Sequence, residues 1–240
     1  MGFTVSQCDT SLFFKHDGTD VIALLLYVDD IMFTGSNETK FQIQYRHNGD
    51  IFLNQSKYAK DLIHKASMDS CKPASTSCKP HTQLLVTEGT PLGDPTMYRN
   101  RDGALQYLTF IRPDLSYAGN MACQYMNQPT DVHYGLMKRI LIYVQGTVTC
   151  GITCSTCHDN YITTFFDSDW AVDPNTRRCI TGFVMYVRHN PISWQSKKHS
   201  SVSRSSTEAK YKALAHCAAD IKHLLCKEKY AIEPCGYNEA

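Results

Sequence analysis

Two adjacent carboxylates inside an apolar run constrain the fold of this chain more than any other feature. Asp29 and Asp30 lie between residues 24–28 and 31–33, and both of these runs are rich in strand-forming residues. Burying two carboxylates within a continuous strand is costly, so the pair must lie at a turn, in an ion pair or on a metal. Gly35 then closes the second run. The pattern predicts a β-hairpin with the acidic pair at its tip.

Hydrophobic periodicity predicts an α+β chain with strands at both ends and helices between them. We expect three parts, at residues 1–69, 70–150 and 151–240, with a surface loop over 70–95. The predicted strands cover 11–15, 21–27, 51–53, 161–169, 179–187 and 192–196. The predicted helices cover 55–66, 98–110, 113–126 and 131–146, and a long helix follows the capping box that Ser205 and Glu208 form.

Composition excludes several classes of protein. The chain has 240 residues, of which 42% are hydrophobic and 20% charged, as expected for a soluble globular protein. Because the net charge is only +1, any basic surface that binds nucleic acid must be confined to one part of the chain. No apolar run approaches the ~18 residues of a membrane span. The N-terminus lacks a secretory signal and the 11 cysteines are scattered, so we expect a reduced, unsecreted protein of the cytoplasm or nucleus.

One cluster of cysteines has the spacing of a ligand site. Cys150, Cys154, Cys157 and His158 could bind zinc, and the string from Cys154 to His158 matches a haem attachment sequence. Haem attachment requires export, however, and no second pair of metal ligands lies nearby. We interpret the cluster as a chance arrangement in a linker.

A basic, serine-rich segment is the best candidate for contact with nucleic acid. Lys197, Lys198 and Arg204 cluster before the long helix, where hydroxyls, amides and cations suit phosphate. A solvated polar loop explains the segment equally well. We expect Trp170 and Trp194 to belong to the core rather than to a base-stacking surface.

The last third of the chain resembles the ribonuclease H region of copia-type retrotransposon polyproteins. Four segments carry the resemblance, in the same order as in that family: residues 167–171 (Asp-Ser-Asp-Trp-Ala), 177–182, 192–198 and 205–209. Residues 103–118 and 138–147 are similar to the connecting segment of the same polyprotein, and residues 51–59 to the segment just before it. Tyr-Val-Asp-Asp at 27–30 resembles the catalytic hairpin of reverse transcriptases.

The resemblance implies Mg²⁺ chemistry on carboxylates. It makes Asp29 and Asp30 metal ligands of a polymerase site, and it makes Asp167 the catalytic carboxylate of a ribonuclease H site. Period-two geometry places Asp167 and Asp169 on one face of a strand. The second acid of that site should be a Glu where this chain has Lys210. We expect Lys210 to point inward, in line with Leu214, Cys217 and Ile221, and to neutralise Asp167 rather than help bind a metal.

The polymerase part also departs from the family pattern. A pair of cations about 3.5–4 Å apart needs carboxylates from more than one hairpin, and the family's partner Asp lies upstream of the chain's start. Residues 36–48 are fewer than the family has at that point. We therefore expect a truncated, internally deleted palm hairpin, a small helical connection and an incomplete ribonuclease H-like sheet of three strands with one long helix.

Ancestry then implies a polymerase with ribonuclease H, acting on RNA or an RNA–DNA hybrid, and we expect neither activity from this chain. The alternative is a non-enzymatic module, retained by a host, that binds nucleic acid or the intact polyprotein. A decayed reading frame that hardly folds is a third hypothesis.

Overall fold

The computed structural model describes residues 4–5, 12–17, 20–27, 30–35, 42–46, 49–80, 83–155 and 161–228, with only the backbone defined before residue 42 and after residue 223. The chain divides into two compact units, one formed by Met1–Asn37 with Ala215–Ala240 and the other by Glu38–Leu214. None of the helices in the described ranges is long and apolar enough to cross a membrane.

The first unit contains a four-stranded antiparallel sheet in the order β1-β2-β3-β4. Its strands are β1 (Thr4–Val5), β2 (Leu12–Asp17), β3 (Asp20–Tyr27) and β4 (Asp30–Gly35). The predicted hairpin is confirmed in the backbone, because β3 and β4 pair with Tyr27 opposite Asp30. Asp29 lies outside the described residues.

The second unit is built on a helical core. Its helices are α1 (Ser56–Lys65), α2 (Thr96–Leu108), α3 (Ser116–Cys123) and α4 (Asp131–Gly146). Their apolar stripes meet in one cluster, whose fully buried members include Leu105, Met137, Ile140 and Leu141. The predicted helix over 113–126 begins instead with a short 3-10 turn at Pro113–Leu115. The fixed φ of a proline in the first turn allows that start.

Two three-stranded antiparallel sheets complete the second unit. One pairs β5 (Gln42–Tyr45), β6 (Ile51–Asn54) and β7 (Gly151–Cys154), and the other has the order β10-β9-β8. The second sheet consists of β8 (Ile162–Asp169), β9 (Ile180–Val187) and β10 (Asn190–Lys198), as the period-two pattern predicted. The long helix α5 (Ser206–Glu228) follows it.

The hydrophobic pattern of the sequence did not predict β5 or β7. All four residues of β5 are exposed, so the strand carries no buried face that could give a period-two signal. β7 lies in the segment that we interpreted as a linker. Both strands form because their backbone groups pair with β6, which lies between them.

Hydrogen bonds of the loop segment 84–86 join the helices to the turn between β8 and β9. The hydroxyl of Tyr125 and the side-chain amide of Asn175 both donate to the Leu84 carbonyl, at 3.0 and 2.9 Å. The same Asn175 accepts from the Val86 amide at 2.9 Å. Trp194 of β10 adds a bond of 2.7 Å from its Nε1 to the Thr109 carbonyl. These bonds hold the β8–β9–β10 sheet against the helical core.

Candidate carboxylate and phosphate-contact site

The carboxylates predicted on β8 lie on one exposed face. Asp167 and Asp169 are exposed, and Ser168 between them is buried, as the alternation of a strand requires. In the neighbouring strand β9, Gly182 stands opposite Asp167 and Ile180 opposite Asp169. No carboxylate from β9 therefore faces the pair.

Lys210 of α5 reaches the same face. Its Nζ lies 3.9 Å from Oδ1 of Asp167, and the two side chains are 65% and 77% exposed. The expected inward orientation of Lys210 is wrong. The buried line of α5 is Ala209, Ala213 and Cys217, while Leu214 is 44% exposed. The buried positions 209 and 213 each lie one residue before the predicted positions 210 and 214, which leaves Lys210 at the border of the buried line.

The residues around Asp167 do not fit the Mg²⁺ ion that the resemblance implies. Mg²⁺ needs oxygen ligands in near-octahedral geometry, usually carboxylates with water. Here a cationic ammonium occupies the side of Asp167 from which α5 would supply a second carboxylate. Within the described ranges, no three acidic, histidine or cysteine side chains gather as a metal site would require.

The two lysines predicted to contact nucleic acid lie in β10 rather than in the loop after it, and they differ in environment. Lys197 is exposed. Lys198 instead places its Nζ 3.2 Å from Oδ2 of Asp173, a carboxylate that is almost fully buried. Burial raises the pKa of Asp173, but hydrogen bonds from Thr176 and Lys198 outweigh it and hold the pKa below its usual value. Contact between Lys198 and nucleic acid would have to break this ion pair.

The segment between β10 and α5 is ordered by bonds from the first turns of the helix. Glu208 accepts from the Arg204 amide at 2.8 Å, and its own amide donates to Ser205 Oγ at 3.1 Å. Hydrogen bonds from Lys212 and from the Arg204 amide lower the pKa of Glu208. Lys212 also lies within hydrogen-bond distance of the Ser201 and Ser203 hydroxyls. The exposed Arg204 is therefore presented from an ordered backbone.

The structure corrects the expectation that Trp170 belongs to the core. Its side chain is 49% exposed, and its Nε1 donates to the Ser203 carbonyl at 2.9 Å. Trp194 is only partly exposed and bonded to the helical core, so the two tryptophans have different roles. Strand alternation gave no sign of this exposure, because it places position 170 on the same side as the buried Ser168.

The remaining candidate residues are only partly described. Asp30 begins β4, and Asp29 lies outside the described residues. Cys150 and Cys154 carry free thiols, and burial raises the pKa of Cys154. Cys157 and His158 lie outside the described residues, so the interpretation of that cluster stays a prediction.

Comparison with known proteins finds relatives along nearly the whole chain. It is similar to the retrovirus-related Pol polyprotein from transposon RE2 of Arabidopsis thaliana, with 37% identity over 92% of this chain and 17% of that protein. The Pol polyprotein from transposon TNT 1-94 of Nicotiana tabacum is 27% identical over 85% of the chain and 18% of its own length.

A shorter relative matches over most of its length. The uncharacterized mitochondrial protein AtMg00810 of Arabidopsis thaliana is 41% identical over 82% of the chain and 92% of its own length. The chain thus spans less than a fifth of the Pol polyproteins that it matches. No family profile matches the chain, and no solved structure matches it significantly.

Proposed function

Because the chain belongs to the copia-type family of retrovirus-related Pol polyproteins from transposons, we propose that it binds RNA or an RNA–DNA hybrid without cleaving it. In this proposal residues 161–228 are a ribonuclease H-like region that keeps a surface for nucleic acid and has lost its metal site. The β3–β4 hairpin is the counterpart of a reverse-transcriptase palm hairpin.

The ammonium of Lys210, 3.9 Å from the Asp167 carboxylate, is the observation that carries this proposal. Hydrolysis of a phosphodiester on metal ions needs carboxylates that hold the cations beside the scissile phosphate. A lysine at that place repels a divalent cation and removes one ligand at the same time. The pair is exposed, so Lys210 acts mainly by replacing a carboxylate and adds little stability.

Two exposed cations, one on β10 and one in the segment before α5, support the retained contact with nucleic acid. Lys197 and Arg204 are both exposed, and the bonds from Glu208 and Lys212 order the backbone that presents Arg204. Cations that neutralise phosphates release condensed counterions, so binding of this kind is strongly salt-dependent. The intact polyprotein is a second partner that the proposal allows.

Binding and cleavage can be measured on the same labelled RNA–DNA hybrid. We expect salt-dependent binding and no cleavage in Mg²⁺ or Mn²⁺. Removing two phosphate contacts with Lys197→Ala and Arg204→Ala should reduce the slope of log K against log salt by about 2. Lys60→Ala, which removes an exposed lysine of α1, is the matched control and should leave the slope unchanged. Hybrid cleavage that Asp167→Asn abolishes would overturn the proposal.

Lys210→Glu should create a divalent-cation site beside Asp167. The substitution replaces an ammonium beside Asp167 with a second carboxylate, and such weakly built sites bind with a Kd of roughly 1 mM. Titration of Mn²⁺ followed by electron paramagnetic resonance measures the bound fraction. Lys210→Ala, which removes the cation without adding a ligand, is the control. Equal Mn²⁺ binding by wild type and Lys210→Glu would show that Lys210 does not exclude the metal.

A further inference from the structure

Trp170 is held in place with much of its indole exposed to solvent. The side chain is 49% exposed, although a tryptophan buries more apolar area than any other residue when it enters a core. Its Nε1 donates to the Ser203 carbonyl at 2.9 Å, so its polar atom is satisfied and the ring is fixed. A fixed, exposed aromatic ring is suited to stacking on a flat ligand.

Two hydrogen bonds hold Trp170 and the residue after it. The Ala171 amide donates to Sγ of Cys179 at 3.4 Å, and Ala171 takes the unusual φ of +52°. The second bond runs from the Trp170 indole to Ser203. Each acceptor residue has an arginine next to it in the sequence: Arg178 precedes Cys179, and Arg204 follows Ser203. The ring therefore lies where two arginine-bearing segments meet.

We propose that Trp170 is a stacking platform for an unpaired base of single-stranded nucleic acid, with Arg178 and Arg204 contacting the flanking phosphates. This inference rests on the proposed function and specifies its ligand. A base can stack on a side chain only when it is free of its own duplex, so the platform selects single strands over a hybrid helix. Stacking is tolerant of sequence, because every base has a π-face.

The charges around Trp170 determine the path that we expect the bound nucleic-acid strand to take. Asp169 is exposed and precedes Trp170 directly, so phosphates are repelled on that side. Arg178 and Arg204 are the sequence neighbours of Cys179 and Ser203, to which this segment is hydrogen-bonded, and we expect these two cations to attract phosphates. We expect the sugar–phosphate backbone to run along the two arginines while one base covers the indole.

The two tryptophans of the chain allow a direct measurement. Trp194→Phe leaves Trp170 as the only tryptophan, and stacking of a base quenches indole fluorescence. We expect oligo(dT) or oligo(U) to quench this fluorescence at low salt. In the wild-type background, Trp170→Ala should weaken oligo(dT) binding about 5- to 150-fold, as the loss of one stacked base does. Trp170→Phe keeps a ring and should recover most of the affinity.

A hybrid duplex is the probe that separates this inference from the proposed function. Its binding should be unaffected by Trp170→Ala, and this also shows that the variant is folded. Salt-dependent hybrid binding with unquenched fluorescence and unchanged oligo(dT) affinity would overturn the platform and leave the proposed function standing. If neither probe binds wild type, both are wrong.

Discussion

Asp114→Ala should lower the free energy of unfolding by about 3 kcal/mol, because it leaves a buried guanidinium without its carboxylate. Arg112 is 3% exposed, and its Nε and Nη2 donate to the two oxygens of Asp114 at 2.9 and 2.6 Å. Two further bonds, to the carbonyl and hydroxyl of Thr147, fix the guanidinium at the end of α4. Chemical denaturation at neutral pH measures the loss.

Two further variants make this result specific to the buried charge. Replacing Arg112 with Met in the Asp114→Ala background removes the unpaired cation, so the double variant should be more stable than Asp114→Ala alone. Asp69→Ala breaks an exposed pair with His64, at 3.3 Å, and should cost at most about 0.5 kcal/mol. Equal losses for Asp69→Ala and Asp114→Ala would contradict the argument.

Asp102→Asn should stabilise the chain at pH 7 by about 2 kcal/mol, because it removes a charge that the helical core does not satisfy. Asp102 is 1% exposed within α2, and beyond the weak thiol donor of Cys123 no described group donates to its carboxylate. Burial raises its pKa to about 6. The folded state therefore prefers the protonated, neutral carboxyl.

The sign of the pH dependence follows from this raised pKa. The stabilising contribution of protonated Asp102 is complete below the ordinary value of 3.8 and is lost as the pH rises through about 6. Over that pH range the raised pKa of Asp102 lowers the free energy of unfolding by about 3 kcal/mol, at about 1.4 kcal/mol per pH unit. The gain from Asp102→Asn should thus be large at pH 7.5 and nearly absent at pH 4.

Urea denaturation of wild type and Asp102→Asn at both pH values provides the test, and the difference between the two proteins is the quantity to compare. His133 makes this comparison necessary, because burial lowers its pKa and its contribution is lost as the pH falls. Both proteins contain His133, so its effect cancels in the difference. A gain of the same size at pH 4 and pH 7.5 would show that folding does not raise the pKa of Asp102, which would contradict the argument.

Local signals in the sequence determined the helices and strands that carry them. The helix over 131–146 was predicted at both ends, with Gly146 as its stop, and the structure confirms these bounds. Thr130 caps the start by accepting from the His133 amide. The capping box at Ser205 and Glu208 placed the start of α5, and the structure has the Glu208 amide bonded to Ser205 Oγ at 3.1 Å. Each signal lies within a few residues of the element that it defines.

The β5–β6–β7 sheet shows what such signals cannot determine. β7 pairs with β6 across about a hundred residues, and the pairing uses backbone groups that every residue type carries. Gly151 belongs there because a Cβ would collide with the Leu53 carbonyl. That requirement exists only once the two strands lie side by side.

Some features of the candidate site likewise follow from local sequence patterns, and others depend on contacts between distant segments. The sequence by itself determined that Asp167 and Asp169 share a face and that a lysine, Lys210, stands where the resemblance leads us to expect an acid. Only the tertiary structure decided that Lys198 pairs with Asp173 and that Trp170 is half exposed beside Ser203. Those partners lie 25 and 33 residues away along the chain, so no local period encodes them. Exposure and pairing depend on which distant segments the fold brings together, whereas the face of a strand depends only on its own geometry.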